Sequence, residues 1–215
     1  MSPLRYTLVA DGPTDRVLMP LLTWVLRRNG INGPIVTQWA DMQRLPRPPR
    51  TLAERLRQSV DLYPCDLLFV HRDAEREPAA HRVAEIHGAV ENTRRDTTVP
   101  LPPVVCVVPV RMQEAWLLFN ESALREAAGN PRGSVALELP RVTSLEGIPN
   151  PKETLHHLLR EASGLSGRRK KSVPVSVYAY RLVELIDDFS PLRALPAFQS
   201  LETDIRKVVA DNGWG

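Results

Sequence analysis

Leu67-Leu68-Phe69-Val70 is an uninterrupted apolar run, and a short run without alternation marks a strand covered on both faces. A strand of that kind needs helices above and below it, so its neighbours decide the fold. Tyr6 to Ala10 reads as a second buried strand, stopped by Asp11-Gly12-Pro13. Thr14 is placed to cap a following helix whose apolar face is Leu18, Leu21, Leu22, Val25 and Leu26, with Asn29-Gly30 as its stop. Ile35 to Trp39 reads as a short strand. Thr51-Leu52-Ala53-Glu54 is a capping box that opens a helix through about Asp61. Pro78 to about Asn92 carries helical spacing, and Val104 to Val110 is another β-branched run. The resulting order, β-α-β-α-β-α-β, predicts an α/β protein with a parallel sheet flanked by helices.

The remaining sequence reads as helical. Glu121 to Ala128 ends at Gly129, and Asn150-Pro151-Lys152-Glu153 combines an N-cap, a first-turn proline and a capping glutamate. Helices are predicted from about Val177 to Asp188 and from Ala197 to Ala210. We therefore expect an α/β core over residues 1–130, with residues 131–215 as a helical extension packed on it in one compact unit. Two basic loops punctuate the chain: the proline-rich Arg44 to Arg50, and Gly164 to Lys171. The 20 prolines in 215 residues exceed the average usage of roughly 5% and fall mainly between periodic segments, which implies stiff, defined loops. No signal-peptide pattern or bilayer-length apolar run is present, and Cys65 and Cys106 suit free thiols. These features predict a cytoplasmic protein with no membrane partner.

Parallel sheets place their sites at the carboxyl ends of strands. Asp11 follows the first predicted strand, Asp73 and Glu75 follow the third, and Glu114 lies a few residues beyond the fourth. Any one of these acids alone is most simply a solvated loop residue. As a set at the edge of one sheet, they offer the oxygen ligands that Mg²⁺ or Mn²⁺ requires. His71 reads as a structural histidine and Trp116 as a core residue. His156 and His157 are adjacent on a helix and point apart, so they are no metal pair. Arg168-Arg169-Lys170-Lys171 is the sharpest local charge in a chain of net charge +3, and Lys152 opens a helix; both are candidates for contact with nucleic-acid phosphates.

The segments Leu8 to Asp15, Phe69 to Glu75 and Glu114-Ala115-Trp116-Leu117-Leu118 resemble the acidic motifs of the Toprim superfamily, which includes topoisomerases, bacterial primases and OLD-type nucleases. Asn150-Pro151-Lys152 and Pro196-Ala197-Phe198 extend that likeness to a branch of small stand-alone Toprim-like proteins. The resemblance implies Mg²⁺-dependent cleavage of nucleic-acid phosphodiesters, with Asp11, Asp73 and Glu75 as metal ligands and Glu114 as an outer ligand or general base. It also implies a role in defence against phage or mobile elements, beside an ABC-type ATPase. Two departures stand out: Asp11 replaces the usual Glu, and Asp73-Ala74-Glu75 replaces the usual Asp-x-Asp. They motivate an alternative, a binding or regulatory subunit of such an ATPase with a weakened site. Primase-like nucleotidyl transfer is disfavoured because no zinc-ribbon cysteines accompany the motifs. The sequence leaves DNA versus RNA open, and with it whether the chain acts as a homo-oligomer.

Overall fold

A computed structural model describes residues 2–96 and 100–215. The chain divides into two compact units, Met1–Val108 with Ser200–Gly215, and Pro109–Gln199. The division falls at 108/109 instead of 130/131, and the last helix returns to the sheet-bearing unit. Pro109 explains the position, because it has no N–H to continue a ladder and β4 stops two residues before it. The strand predicted to Val110 is correspondingly shorter.

The first unit is an α/β sheet of four parallel strands in the order β2-β1-β3-β4. The strands are β1 (Leu4–Val9), β2 (Ile35–Trp39), β3 (Leu67–His71) and β4 (Val104–Val107). Between them lie α1 (Leu18–Arg28), α2 (Leu52–Leu62) and α3 (Ala79–Asp96). All five β3 residues are buried, as an uninterrupted apolar run demands. On one face the Tyr6 hydroxyl donates to the Met19 carbonyl of α1 at 2.9 Å, and the Tyr6 ring meets Phe69 edge to face at 5.1 Å. Leu18, Leu21, Leu22, Val25 and Leu26 of α1 are buried as their spacing predicts. On the other face Val9, Leu68, Val70 and Cys106 pack with Leu56 of α2 and Ile86 and Val90 of α3. Each fully buried side chain of this size contributes about 1.5–3 kcal/mol, so the two apolar layers dominate the unit's stability. Neither cysteine is in a disulfide, and burial pushes the Cys106 thiol up to about 12.

Register fixes where the loops emerge. Val9 pairs with Val70 and His71 with Val107, so β1 and β3 end level with each other. The chain steps from β1 to β2 in one direction and returns to β3 on the other side of β1. The carboxyl ends of β1 and β3 therefore flank the point where strand order reverses, which is where parallel α/β sheets form crevices.

The second unit is helical: α4 (Glu121–Ala127), α5 (Pro151–Ala162), α6 (Gly167–Lys171) and α7 (Val175–Glu184), joined by 3₁₀ turns. Asn150 caps α5 through its side chain, with Pro151 in the first turn, as expected. Trp116 is fully buried and meets Phe198 edge to face at 5.6 Å, so the E-x-W-L-L and P-x-F segments form one core. The predicted basic loop ending at Lys171 contains the short helix α6. The last helix, α8 (Pro196–Asp211), runs back to the first unit, where Glu202 and Arg206 lie 3.5 Å from the side chain of Asn29. Among the described residues, no helix is long and apolar enough to cross a membrane.

Candidate functional site

A cleft of about 280 Å³ opens at the strand-order reversal, lined by Asp11, Asp15, His71, Asp73, Glu75 and the arginines 72 and 82, with Gly12 and Thr14. Three of the four acids singled out from sequence therefore share one cavity. Glu114 does not line it. That residue lies in the second unit, buried within the 3₁₀ turn Gln113–Leu117. Lys152 is exposed in the first turn of α5. In α6, Lys170 is engaged by Glu161 at 2.5 Å, whereas Arg168, Arg169 and Lys171 are exposed.

The loop after β1 turns sharply through a 3₁₀ helix, Pro13–Val17. Gly12 is its cap, so Thr14 is not the N-cap that the sequence suggested. The Asp15 carboxylate accepts the Gly12 N–H at 2.9 Å and the Thr14 hydroxyl at 3.3 Å, which places a buried acid beside the cleft. Glu75 has a left-handed backbone, φ 55°, which costs a non-glycine residue about 1 kcal/mol or more. Its side chain remains largely exposed, 3.8 Å from Arg82. Strain of this kind collects at binding loops.

His71 is buried, and burial holds its pKa below the ordinary histidine value despite the nearby charges of Asp15 and Asp11. Its Nδ1 lies 2.9 Å from the Val107 carbonyl, which can only accept, so Nδ1 carries the proton. Nε2 is then the lone-pair nitrogen, 3.5 Å from Asp73 Oδ1. His71 is thus held to the Val107 carbonyl through Nδ1 and also lines the cleft beside Asp73.

The arginines are what the sequence reading missed. Asp11 Oδ1 pairs with Arg55 Nη1 at 2.5 Å, and Oδ2 pairs with Arg72 Nε at 3.0 Å. Arg72 reaches on to Glu85 at 2.8 Å, and Glu85 is bonded by Arg82 at 2.9 Å. Arg82 also donates to the Asp73 carbonyl at 3.2 Å. Capping delivers Arg55. Thr51 and Glu54 close their box at the start of α2, and the next residue projects toward Asp11. Arg72 was in view within His71-Arg72-Asp73, and Arg82 and Glu85 carry an i, i+3 charge signature. None of these signals names Asp11 as the partner, because that pairing depends on which strands are neighbours.

The lining holds four carboxylates against two guanidiniums, with His71 neutral, so the cleft itself is net negative. Hard oxygen donors in such a setting suit Mg²⁺ or Mn²⁺. As they stand, however, no three His, Cys, Asp or Glu residues among those described are grouped closely enough to hold a metal ion. The expected gathering of Asp11, Asp73 and Glu75 is thus met in the shared cleft and not in ligand spacing. Each Asp11 oxygen accepts one guanidinium in this arrangement.

No known protein family, curated protein or solved structure matches the chain.

Proposed function

We propose that this protein is a Toprim-like nuclease that hydrolyses nucleic-acid phosphodiesters with Mg²⁺ or Mn²⁺. The observation that carries the reading is the single cleft at the ends of β1 and β3 that holds Asp11, Asp73 and Glu75 together with Arg72 and Arg82. The ordered likeness of the surrounding segments to Toprim motifs supports it from the sequence side. Asp73, Glu75 and Asp11 would hold the cation, and the buried Asp15 adds a fourth negative charge. A bound divalent cation supplies charge neutralisation on the phosphate and a more acidic water.

The protein's own part is a charge exchange. Asp11 ligates most freely when Arg55 or Arg72 lets go of it, and the released guanidinium is then open to a non-bridging phosphate oxygen. Both pairs are partly solvated, and such pairs are worth only about 0–1 kcal/mol each, so the exchange is cheap. Cation and phosphate are then expected to bind together more tightly than either alone. Arg82, anchored on the Asp73 carbonyl and Glu85, keeps the Asp73–Glu75 loop in place.

A second reading, a binding subunit working with an ABC-type ATPase in phage defence, is favoured by one observation: Asp11 is already neutralised by arginines. Incubating the isolated protein with single- and double-stranded DNA and RNA, in Mg²⁺ or Mn²⁺ against EDTA, separates the two. Metal-dependent cleavage that Asp73→Asn abolishes supports the nuclease. Binding without cleavage in every condition supports the subunit.

A further inference from the structure

Beside the acidic cleft and sharing Asp11 with it lies a smaller niche of about 70 Å³, walled by Trp39, Met42, Pro48, Pro49 and Arg55. We propose that this niche receives an unpaired nucleobase next to the phosphate held in the cleft, so that the substrate is single-stranded nucleic acid. The inference rests on the nuclease reading for the neighbouring phosphate and adds the class of strand.

The walls are apolar and stiff. Trp39 ends a sheet strand, Pro49 is buried, and each proline has a fixed φ, so little order is lost when a flat ring enters. A single water needs about 10–15 Å³ measured in this way, so the niche has room for the edge of a ring and not for a whole nucleotide. The loop that carries the prolines is tied to the site: the Gln43 amide donates to the Asp11 carbonyl at 3.2 Å, and Arg55 holds the Asp11 carboxylate.

The rim is basic. Arg16 stands over the Trp39 ring at 5.5 Å. Arg44 is engaged by Asp41 at 3.1 Å, whereas Arg47 and Arg50 are exposed and their side chains have no ion pair among the described residues. An apolar ring site whose wall prolines, Pro48 and Pro49, are flanked in sequence by the exposed Arg47 and Arg50 matches a polyanion with planar bases, the chemistry of single-strand binding. A paired base would first have to leave its stack, at a cost of a few kcal/mol. Duplex is therefore the poorer ligand. The proline-rich basic loop, prominent in the sequence, acquires its role here.

The test is fluorescence anisotropy in EDTA, where no cleavage occurs, with labelled single-stranded DNA, single-stranded RNA and the matching duplexes. Single strands are expected to bind about 10-fold or more tighter than duplex. Trp39→Leu should weaken single-strand binding about 5-fold or more by removing the aromatic wall that the base edge meets, with the salt dependence kept. Arg47→Gln with Arg50→Gln should flatten the slope of log affinity against log salt by about 1.4 for single strands if both meet phosphates. Because Trp39→Leu can disturb the sheet edge, Pro48→Ser on the exposed wall and the arginine pair serve as folding-neutral arms. Equal affinity for duplex, or unchanged single-strand affinity and salt slope in the arginine pair and Pro48→Ser, overturns the proposal. Single-strand preference intact in a protein that cleaves no strand once Mg²⁺ or Mn²⁺ is added would instead count against the nuclease reading alone.

Discussion

Arg55 of α2 and Asp11 after β1 are joined Nη1 to Oδ1 at 2.5 Å, although 44 residues separate them in sequence. The contact joins the first predicted metal ligand to a guanidinium that nothing in the motif anticipates, and under the proposed function it makes the state of Asp11 the control point of the cleft. Arg55→Gln is expected to free one Asp11 oxygen. Mg²⁺ should then bind up to about 5-fold tighter in the absence of substrate, the value of a partly exposed pair. Cleavage should nonetheless fall about 100-fold, because the phosphate loses a charged donor. Calorimetric Mg²⁺ titration and a cleavage time course read the two effects separately; loss of both together would mean that Arg55 only supports the fold.

Glu75 combines a left-handed backbone with an exposed side chain. Glu75→Gly should therefore raise stability by about 0.5–1 kcal/mol, since glycine adopts this conformation without strain. The same variant should lose the rise in melting temperature that millimolar Mg²⁺ gives the wild type. Glu75→Gln, which keeps the strain, should lose the metal response with stability little changed. Denaturant unfolding with and without Mg²⁺ checks both.

The α6 cluster acts through charge alone if it meets nucleic acid. Lys170 is held by Glu161, leaving Arg168, Arg169 and Lys171 to contribute. Replacing all four with Gln should flatten the duplex-DNA salt slope by up to about 2.7, similarly for unrelated sequences. Stability should change by less than about 0.5 kcal/mol. An unaltered slope would make α6 a solvated turn.

The fold was largely legible in the sequence because its signals are local. The apolar run at Leu67 to Val70, the Thr51–Glu54 box and the Asn150-Pro151 start each state their own conformation. Where the reading departed, a neighbour overrode the pattern: Pro109 cut β4 short, and Asp15 claimed the Gly12 N–H and made Gly12 the cap. The site was legible only in part. Strand order brings Asp11 and Asp73 to one edge, and strand order follows from the alternation. The ion pairs that occupy Asp11 depend on where α2 lies against β1, which no spacing rule encodes. Glu114, adjacent in motif order, belongs to the second unit.

The central claim is that the cleft at the ends of β1 and β3 is a divalent-cation site serving a phosphodiester. Anomalous diffraction from crystals grown with millimolar Mn²⁺ and a short single-stranded oligonucleotide tests it most directly. The account predicts a manganese peak bounded by Asp11, Asp73 and Glu75, with Arg55 or Arg72 turned from Asp11 to a phosphate oxygen. An oligonucleotide bound with no manganese peak in that cleft, and Asp11 still held by both arginines, would contradict it.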